Sequence, residues 1–145
     1  MKIVYLDNSA TTPLDKEVFK VMKPYFLEKF GNASTLYKLG LESRKAIEIA
    51  REQIAKAINA EPEEIYFTSG GTESNNLIIK NFDSVLTSSI EHPAVLNTCK
   101  TRKNCEIISV DKRGYINLDE LKHKLDSKKI DLVTIMHSNN EIGTI

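Results

Sequence analysis

Phe67-Thr68-Ser69-Gly70-Gly71-Thr72-Glu73-Ser74-Asn75-Asn76 follows a short β-branched and aromatic run and reads as strand, glycine pair, hydroxyl, helix. Gly70 and Gly71 let the backbone approach a ligand closely. Thr72 stands where a helix begins, placed to cap it and to turn its hydroxyl outward. The unpaired N–H groups of that first turn, with the helix dipole behind them, favour a phosphate. A capped strand-to-helix turn without a ligand uses the same residues, so this stretch alone leaves both readings open.

Working outward, hydrophobic periodicity places helices at 15–29, with Val18, Phe19, Met22, Tyr25 and Phe26 on one stripe, and at 41–60, with Ala46, Ile47, Ala50, Ile54 and Ile58 on one face. Pro24 implies a kink or an early end to the first. From residue 64 onward the pattern reads β-α-β-α-β-α-β, with strands at 65–68, 84–88, 106–110 and 132–136. Such alternation predicts a mainly parallel sheet covered by helices, with ligands gathering beyond the carboxyl ends of the strands. The loops after Thr68, Ser88 and Met136 are therefore expected to share one crevice.

Length and composition suit one soluble domain: 145 residues, 41% hydrophobic and 28% charged. The 20 basic and 20 acidic residues cancel without a basic block, which argues against nucleic acid and anionic membrane as partners. No apolar run approaches the about 20 residues that span a bilayer, and Met1-Lys2-Ile3-Val4-Tyr5 leads straight to Asp7 without a signal-peptide core. The expected location is cytoplasmic. Cys99 and Cys105 suggest neither a disulfide framework nor a metal-ligand pair, and in a reducing compartment both are expected as free thiols.

Four further segments accompany the glycine turn: Tyr5-Leu6-Asp7-Asn8-Ser9-Ala10-Thr11-Thr12-Pro13-Leu14, Phe30-Gly31-Asn32-Ala33-Ser34, Glu91-His92-Pro93-Ala94-Val95 and Met136-His137-Ser138-Asn139-Asn140-Glu141-Ile142-Gly143-Thr144. In this order and at these separations the set resembles the N-terminal part of the cysteine desulfurases, pyridoxal-phosphate (PLP) enzymes of the aminotransferase class V group. The resemblance covers essentially the whole chain. It implies an α/β, three-layer PLP-transferase fold (aspartate aminotransferase-like, fold type I), present as an incomplete large-domain segment with a mainly parallel sheet. Residues 1–40 would form an arm and helix on the small-domain, substrate side, and residues 41–145 the first part of the PLP-binding large domain.

The same resemblance implies PLP as cofactor and conversion of L-cysteine to L-alanine. The sulfur would leave as an enzyme-bound persulfide for iron–sulfur or thio-cofactor assembly, with a sulfur-acceptor or scaffold protein as partner. His92 would stack on the PLP ring and relay protons, and is the expected catalytic residue. Gly71 and Thr72 would hold the phosphate. Asn140 would bind the phenolic oxygen and the substrate carboxylate, an amide being both donor and acceptor. Asn8, Ala10 and Thr11 would line the substrate side, although a polar loop capping a helix reads the same way. Glu141 is expected to orient its loop, His137 to be structural and His123 to lie on a solvated helix face.

In that family the Schiff-base lysine, the aspartate facing the pyridine nitrogen and the sulfur-accepting cysteine fall in later motifs, none of which occurs here. The resemblance therefore implies a segment that is inactive alone, poorly stable by itself, and completed by a complementary C-terminal half or a homodimer partner. Tyr37 and Ala33 depart from the common histidine and proline, and the stretch 77–90 is shorter than usual. Other readings are a kynureninase-like or aminotransferase-like enzyme of the same class, a non-catalytic partner subunit in iron–sulfur assembly, and a generic phosphate-binding α/β domain.

Overall fold

The computed structural model describes residues 3–145, so Met1 and Lys2 of the expected 1–40 arm lie outside the described residues. The chain divides into two compact units, one ending at Phe67 and the other Thr68–Ile145. The boundary expected at residue 40 falls inside the first unit.

In the first unit α1 (Lys16–Leu27) opens behind Asp15, whose Oδ1 accepts from the N–H groups of Glu17 (2.7 Å) and Val18 (3.3 Å). An N-cap carboxylate satisfies donors that have no intrahelical partner. Pro24 brings the early end: its carbonyl accepts from the N–H groups of Glu28 and Lys29, both at 2.8 Å. The predicted apolar stripe of α1 is exposed along its length. The longer α2 (Lys38–Ile58) begins before the predicted start and ends at Asn59, whose left-handed φ of 56° closes the last turn. Its first turn passes so near the 32–35 loop that a Cβ on Gly40 would lie 2.6 Å from the Asn32 carbonyl oxygen, so only glycine fits there.

The expected strand at 65–68 is corrected. These residues are not paired as a strand, and the Ile65 carbonyl accepts from the Arg51 guanidinium instead. A β-branched and aromatic run supplies propensity, whereas a strand also needs a ladder partner, and none pairs with it among the described residues. The stretch stays extended, with Ile65 buried and Phe67 stacked 5.1 Å from the Arg51 guanidinium.

The second unit runs α3 (Gly71–Ile79), β1 (Ser84–Ser88), α4 (Pro93–Lys100), β2 (Asn104–Ile108), α5 (Leu118–Ser127) and β3 (Leu132–Thr134). Its parallel sheet has the order β2-β1-β3, with Ser84 opposite Asn104 and Val85 opposite Leu132. Central β1 is buried from Val85 to Ser88, as a parallel strand covered on both faces must be. β2 lies two residues earlier than predicted, and Val110 instead forms an isolated antiparallel bridge with Ile116. Ile79, Val85, Val95 and Cys99 form the core, with Phe82, Cys105 and Leu132 packed against it.

The two cysteines overturn a second expectation. Cys99 and Cys105 are joined as a disulfide, with Cα atoms 5.6 Å apart, within the usual range for a bridge. The last turn of α4 reverses through 101–103 directly into β2, which returns both side chains to one layer of the core. Arg102 in that reversal donates to the carbonyls of Lys80 (3.3 Å) and Phe82, holding the short α3–β1 connection.

Two outcomes test this packing. Cys105→Ser lowers unfolding stability by about 2 kcal/mol, the loop-entropy value for so short a bridged loop, in non-reducing denaturant titrations. Glu106 provides a pH test, because hydrogen bonds from Lys124 (2.8 Å) and Lys128 hold its carboxyl below its ordinary value of 4.5. A carboxyl lowered by folding contributes stability that is full above its unfolded pKa and is lost as pH falls through the lower folded one. The stability difference between wild type and Glu106→Gln is therefore constant near neutrality and shrinks below about pH 4.5 in urea titrations at stepped pH.

Candidate functional site

The site of the second unit is built on helix starts and strand ends. α3 has Gly70 as its N-cap, and no side chain caps it. The expected capping role of Thr72 is thus corrected: Thr72 is the second helical residue, and its exposed side chain is left for another partner. The helical ladder begins at Ser74, whose N–H donates to the Gly70 carbonyl at 3.1 Å. The N–H groups of Gly71, Thr72 and Glu73 meet no acceptor among the described residues. A Cβ placed on Gly70 or Gly71 would touch nothing within 4 Å, so the helix start opens onto free space.

Glu73 folds back from the same turn. Its Oε2 accepts from the Ser69 hydroxyl (2.5 Å) and the Ser69 N–H (2.7 Å), which hold its carboxyl below the usual range. That engagement directs its charge to the Ser69 side and leaves the free N–H groups unblocked.

α4 starts with a side-chain cap. His92 precedes Pro93, and its Nδ1 accepts from the Ala94 N–H at 3.0 Å. Proline at the first helical position loses no bond there, because that N–H would be unpaired in any residue. With Nδ1 engaged as the acceptor, Nε2 is the ring nitrogen left for another partner. The exposed imidazole therefore has a set orientation. Thr72 and Asn76 of α3, Lys80 just past its end, and His92, Pro93 and Asn97 line one cleft of about 470 Å³.

The loops leaving β1 and β3 are stitched together. Glu91 is buried, and its Oε1 accepts from the Ser88 hydroxyl and from the Met136 N–H, both at 2.8 Å. Asn139, also buried, donates from Nδ2 to the Ile90 carbonyl at 3.1 Å. Its Oδ1 accepts from the N–H groups of Glu141 (2.9 Å) and Ile142 (3.1 Å). Gly143, at φ 73°, turns the chain back so that its own N–H reaches the Asn139 carbonyl at 2.9 Å. Asn140 is exposed on this folded loop.

The expected residues thus fall into groups. Gly71 and Thr72 share the start of α3, and Thr72 and His92 line the cleft, while Asn140 rides a loop tied to the segment before His92. Asn8, Ala10 and Thr11 belong to the first unit, in an exposed turn where the Asp7 carbonyl accepts from Ala10 (3.2 Å) and Thr11 (3.5 Å). The orienting role expected of Glu141 belongs to Asn139 and Glu91, since the Glu141 side chain makes no hydrogen bond among the described residues. His123 is exposed on α5, and His137 is exposed as well. Sequence reasoning passed over Glu91, whose one signal is an acid lodged between a buried strand and a proline-started helix.

Thr72 and the oriented imidazole of His92 line one cleft, and Thr72 belongs to a helix start whose first N–H groups have no acceptor among the described residues; that pairing suits a phosphorylated aromatic group, so the residues present fit PLP. His92→Ala removes the α4 cap and lowers stability by about 1 kcal/mol, whereas His92→Asn keeps an acceptor and restores most of it, as denaturant titration of both variants would show.

Residues 4–145 match the family model described as aminotransferase class-V. The chain is 51% identical over 154 aligned positions to the cysteine desulfurase IscS of Dictyoglomus turgidum, covering 98% of this chain and 39% of that protein. It is 49% identical to the cysteine desulfurase IscS of Methanosarcina thermophila, covering 99% of this chain and 38% of that one. Among solved structures, the NifS-like protein from Rickettsia africae superposes with a TM-score of 0.88 at 34% identity, over 97% of this chain and 41% of that chain. SspA in complex with cysteine superposes at 0.83 and 35% identity, over 97% and 44%. The chain thus spans about two fifths of the length of these relatives.

Proposed function

The chain belongs to the aminotransferase class-V family, and on that premise we propose that it forms the N-terminal, cofactor-cradling part of a cysteine desulfurase. The observation that carries this reading is the cleft where the uncapped start of α3, Thr72 and His92 come together. PLP, when bound, supplies the electron sink for the chemistry at the amino-acid substrate.

The chain's own residues bind and orient. The N–H groups of Gly71 and Thr72 and the Thr72 hydroxyl hold the phosphate. His92 would meet the ring, with its Nδ1 accepting from the Ala94 N–H and its Nε2 left to hold or pass a proton. Asn140 directs its amide to the phenolic oxygen and to the substrate carboxylate. Asn8, Ala10 and Thr11 serve the substrate side. Residues 1–40 act as the arm and helix of the small-domain side, and residues 41–145 as the first part of the large domain.

L-cysteine is the proposed substrate, a reading supported by the relatives named cysteine desulfurase and by the neighbour solved with cysteine. L-alanine and a protein-bound sulfur are the products, the sulfur passing to an acceptor or iron–sulfur scaffold protein. Cys99 is fully buried within its disulfide, so the sulfur-accepting thiol is not drawn from this pair. The proposed setting is a cytoplasmic homodimer or an assembly with a complementary C-terminal part. No helix among the described residues is long and apolar enough to cross a membrane.

The test is L-cysteine turnover with PLP absorbance followed in parallel, on this chain alone and with a polypeptide supplying the C-terminal part of a desulfurase relative. With a thiol reductant present to release the bound sulfur as sulfide, sulfide and alanine are expected only in the mixture, with a PLP spectral change that His92→Ala abolishes. Confirmed association without a spectral change or turnover would overturn the reading in favour of a non-catalytic partner subunit.

A further inference from the structure

The β1–β3 ladder ends at the pair Thr87 and Thr134, where the Thr87 hydroxyl also donates to the Thr134 carbonyl at 2.8 Å. Past that point no ladder bond relates the two segments: β1 stays paired with β2 as far as Ser88, while the chain after Thr134 leaves the sheet. Side chains take over. Glu91 Oε1 receives one hydrogen bond from each side, from Ser88 at the end of β1 and from Met136 after β3. Asn139 adds a second strut to the Ile90 carbonyl. One end of this pair of struts adjoins His92, and the other adjoins Asn140.

We propose that Glu91 is a positioning residue that sets the spacing between His92 and Asn140 across the carboxyl ends of β1 and β3. The inference rests on the reading of those two residues as cofactor contacts. Glu91 is 6% exposed and adjoins the site through the backbone of the residue that follows it. A carboxylate suits the task because it only accepts, and both groups facing it are donors. Its removal leaves the buried Ser88 hydroxyl and the half-buried Met136 N–H without a partner, so the two loops must rearrange to find new ones. Glutamine at this position keeps the accepting Oε1 and with it both bonds. Asn139 acts in the same direction from the opposite loop, since its side chain ends one residue before Glu91.

The test uses the 145-residue chain associated with a polypeptide supplying the C-terminal part of a desulfurase relative, with nitrogen–proton correlation spectra of the Asn140 amide and the His92 ring recorded alongside a PLP titration. Glu91→Ala is expected to shift the Asn140 signals and to weaken PLP binding by about tenfold, equivalent to about 1.4 kcal/mol. Glu91→Gln returns both readouts close to wild type. Asn139→Ala moves the His92 signals, a long-range effect that a purely local role would not produce. Ile108→Val, a core change at the end of β2, lowers stability without moving either set.

The proposal is overturned if folded Glu91→Ala leaves Asn140 unmoved, or if Ile108→Val moves it equally. Should Glu91→Ala not fold, Asn139→Ala decides: an unmoved His92 ring overturns the strut. If wild type takes up no PLP while Glu91→Ala still moves Asn140, the cofactor reading fails and the strut stands.

Discussion

The buried parallel strand β1 is the constraint from which the second unit takes its geometry. Flanked by β2 and β3, it has ladder bonds on both edges and is covered from Val85 to Ser88, so its direction cannot vary independently of the core. Where such a strand stops, everything it carries is released at one place. Ser88 is the last ladder residue, and within five positions the chain passes through Glu91 and His92 into α4. The helix then packs back on β1, which brings His92 into the cleft it shares with α3.

The cleft depends on two helix starts that are finished in opposite ways. α4 is closed by its own histidine, which gives up one ring nitrogen to the backbone and gains a set orientation. α3 is left open: glycine caps it, its first three N–H groups have no acceptor among the described residues, and a Cβ on Gly70 or Gly71 would meet nothing within 4 Å. An uncapped start forgoes the stabilisation a serine or aspartate would bring, and it leaves the donors for an anion. Glu73, which would otherwise compete for that positive end, is engaged by Ser69. Capping is thus withheld where a phosphate is to be received and supplied where a ring is to be aimed.

Much of this was legible in advance. The bounds of β1, the proline start of α4 and the early end of α1 at Pro24 follow from local rules that act over a few residues. The grouping of Thr72 with His92 was expected from a shared crevice at strand ends, and the structure supplies it through the packing of α3 on α4. Less visible was everything that needs a partner distant in sequence. Residues 65–68 have the composition of a strand and no ladder neighbour. Cys99 and Cys105 look like two unrelated thiols until α4 reverses into β2. Glu91 and Met136 are 45 positions apart, a separation at which no local pattern reports a hydrogen bond.

By itself, then, the sequence determined the class of the fold, the order of most helices and strands, and the residues suited to hold a phosphate and an aromatic ring. Those properties depend on backbone propensity, capping and side-chain chemistry, which are written position by position. Only the tertiary structure decided which strands pair, that the cysteines meet, and that Glu91 and Asn139 rather than Glu141 hold the loop of Asn140. Each of those outcomes requires two distant segments to arrive at one point, and it is packing of the apolar core around β1 that brings them there.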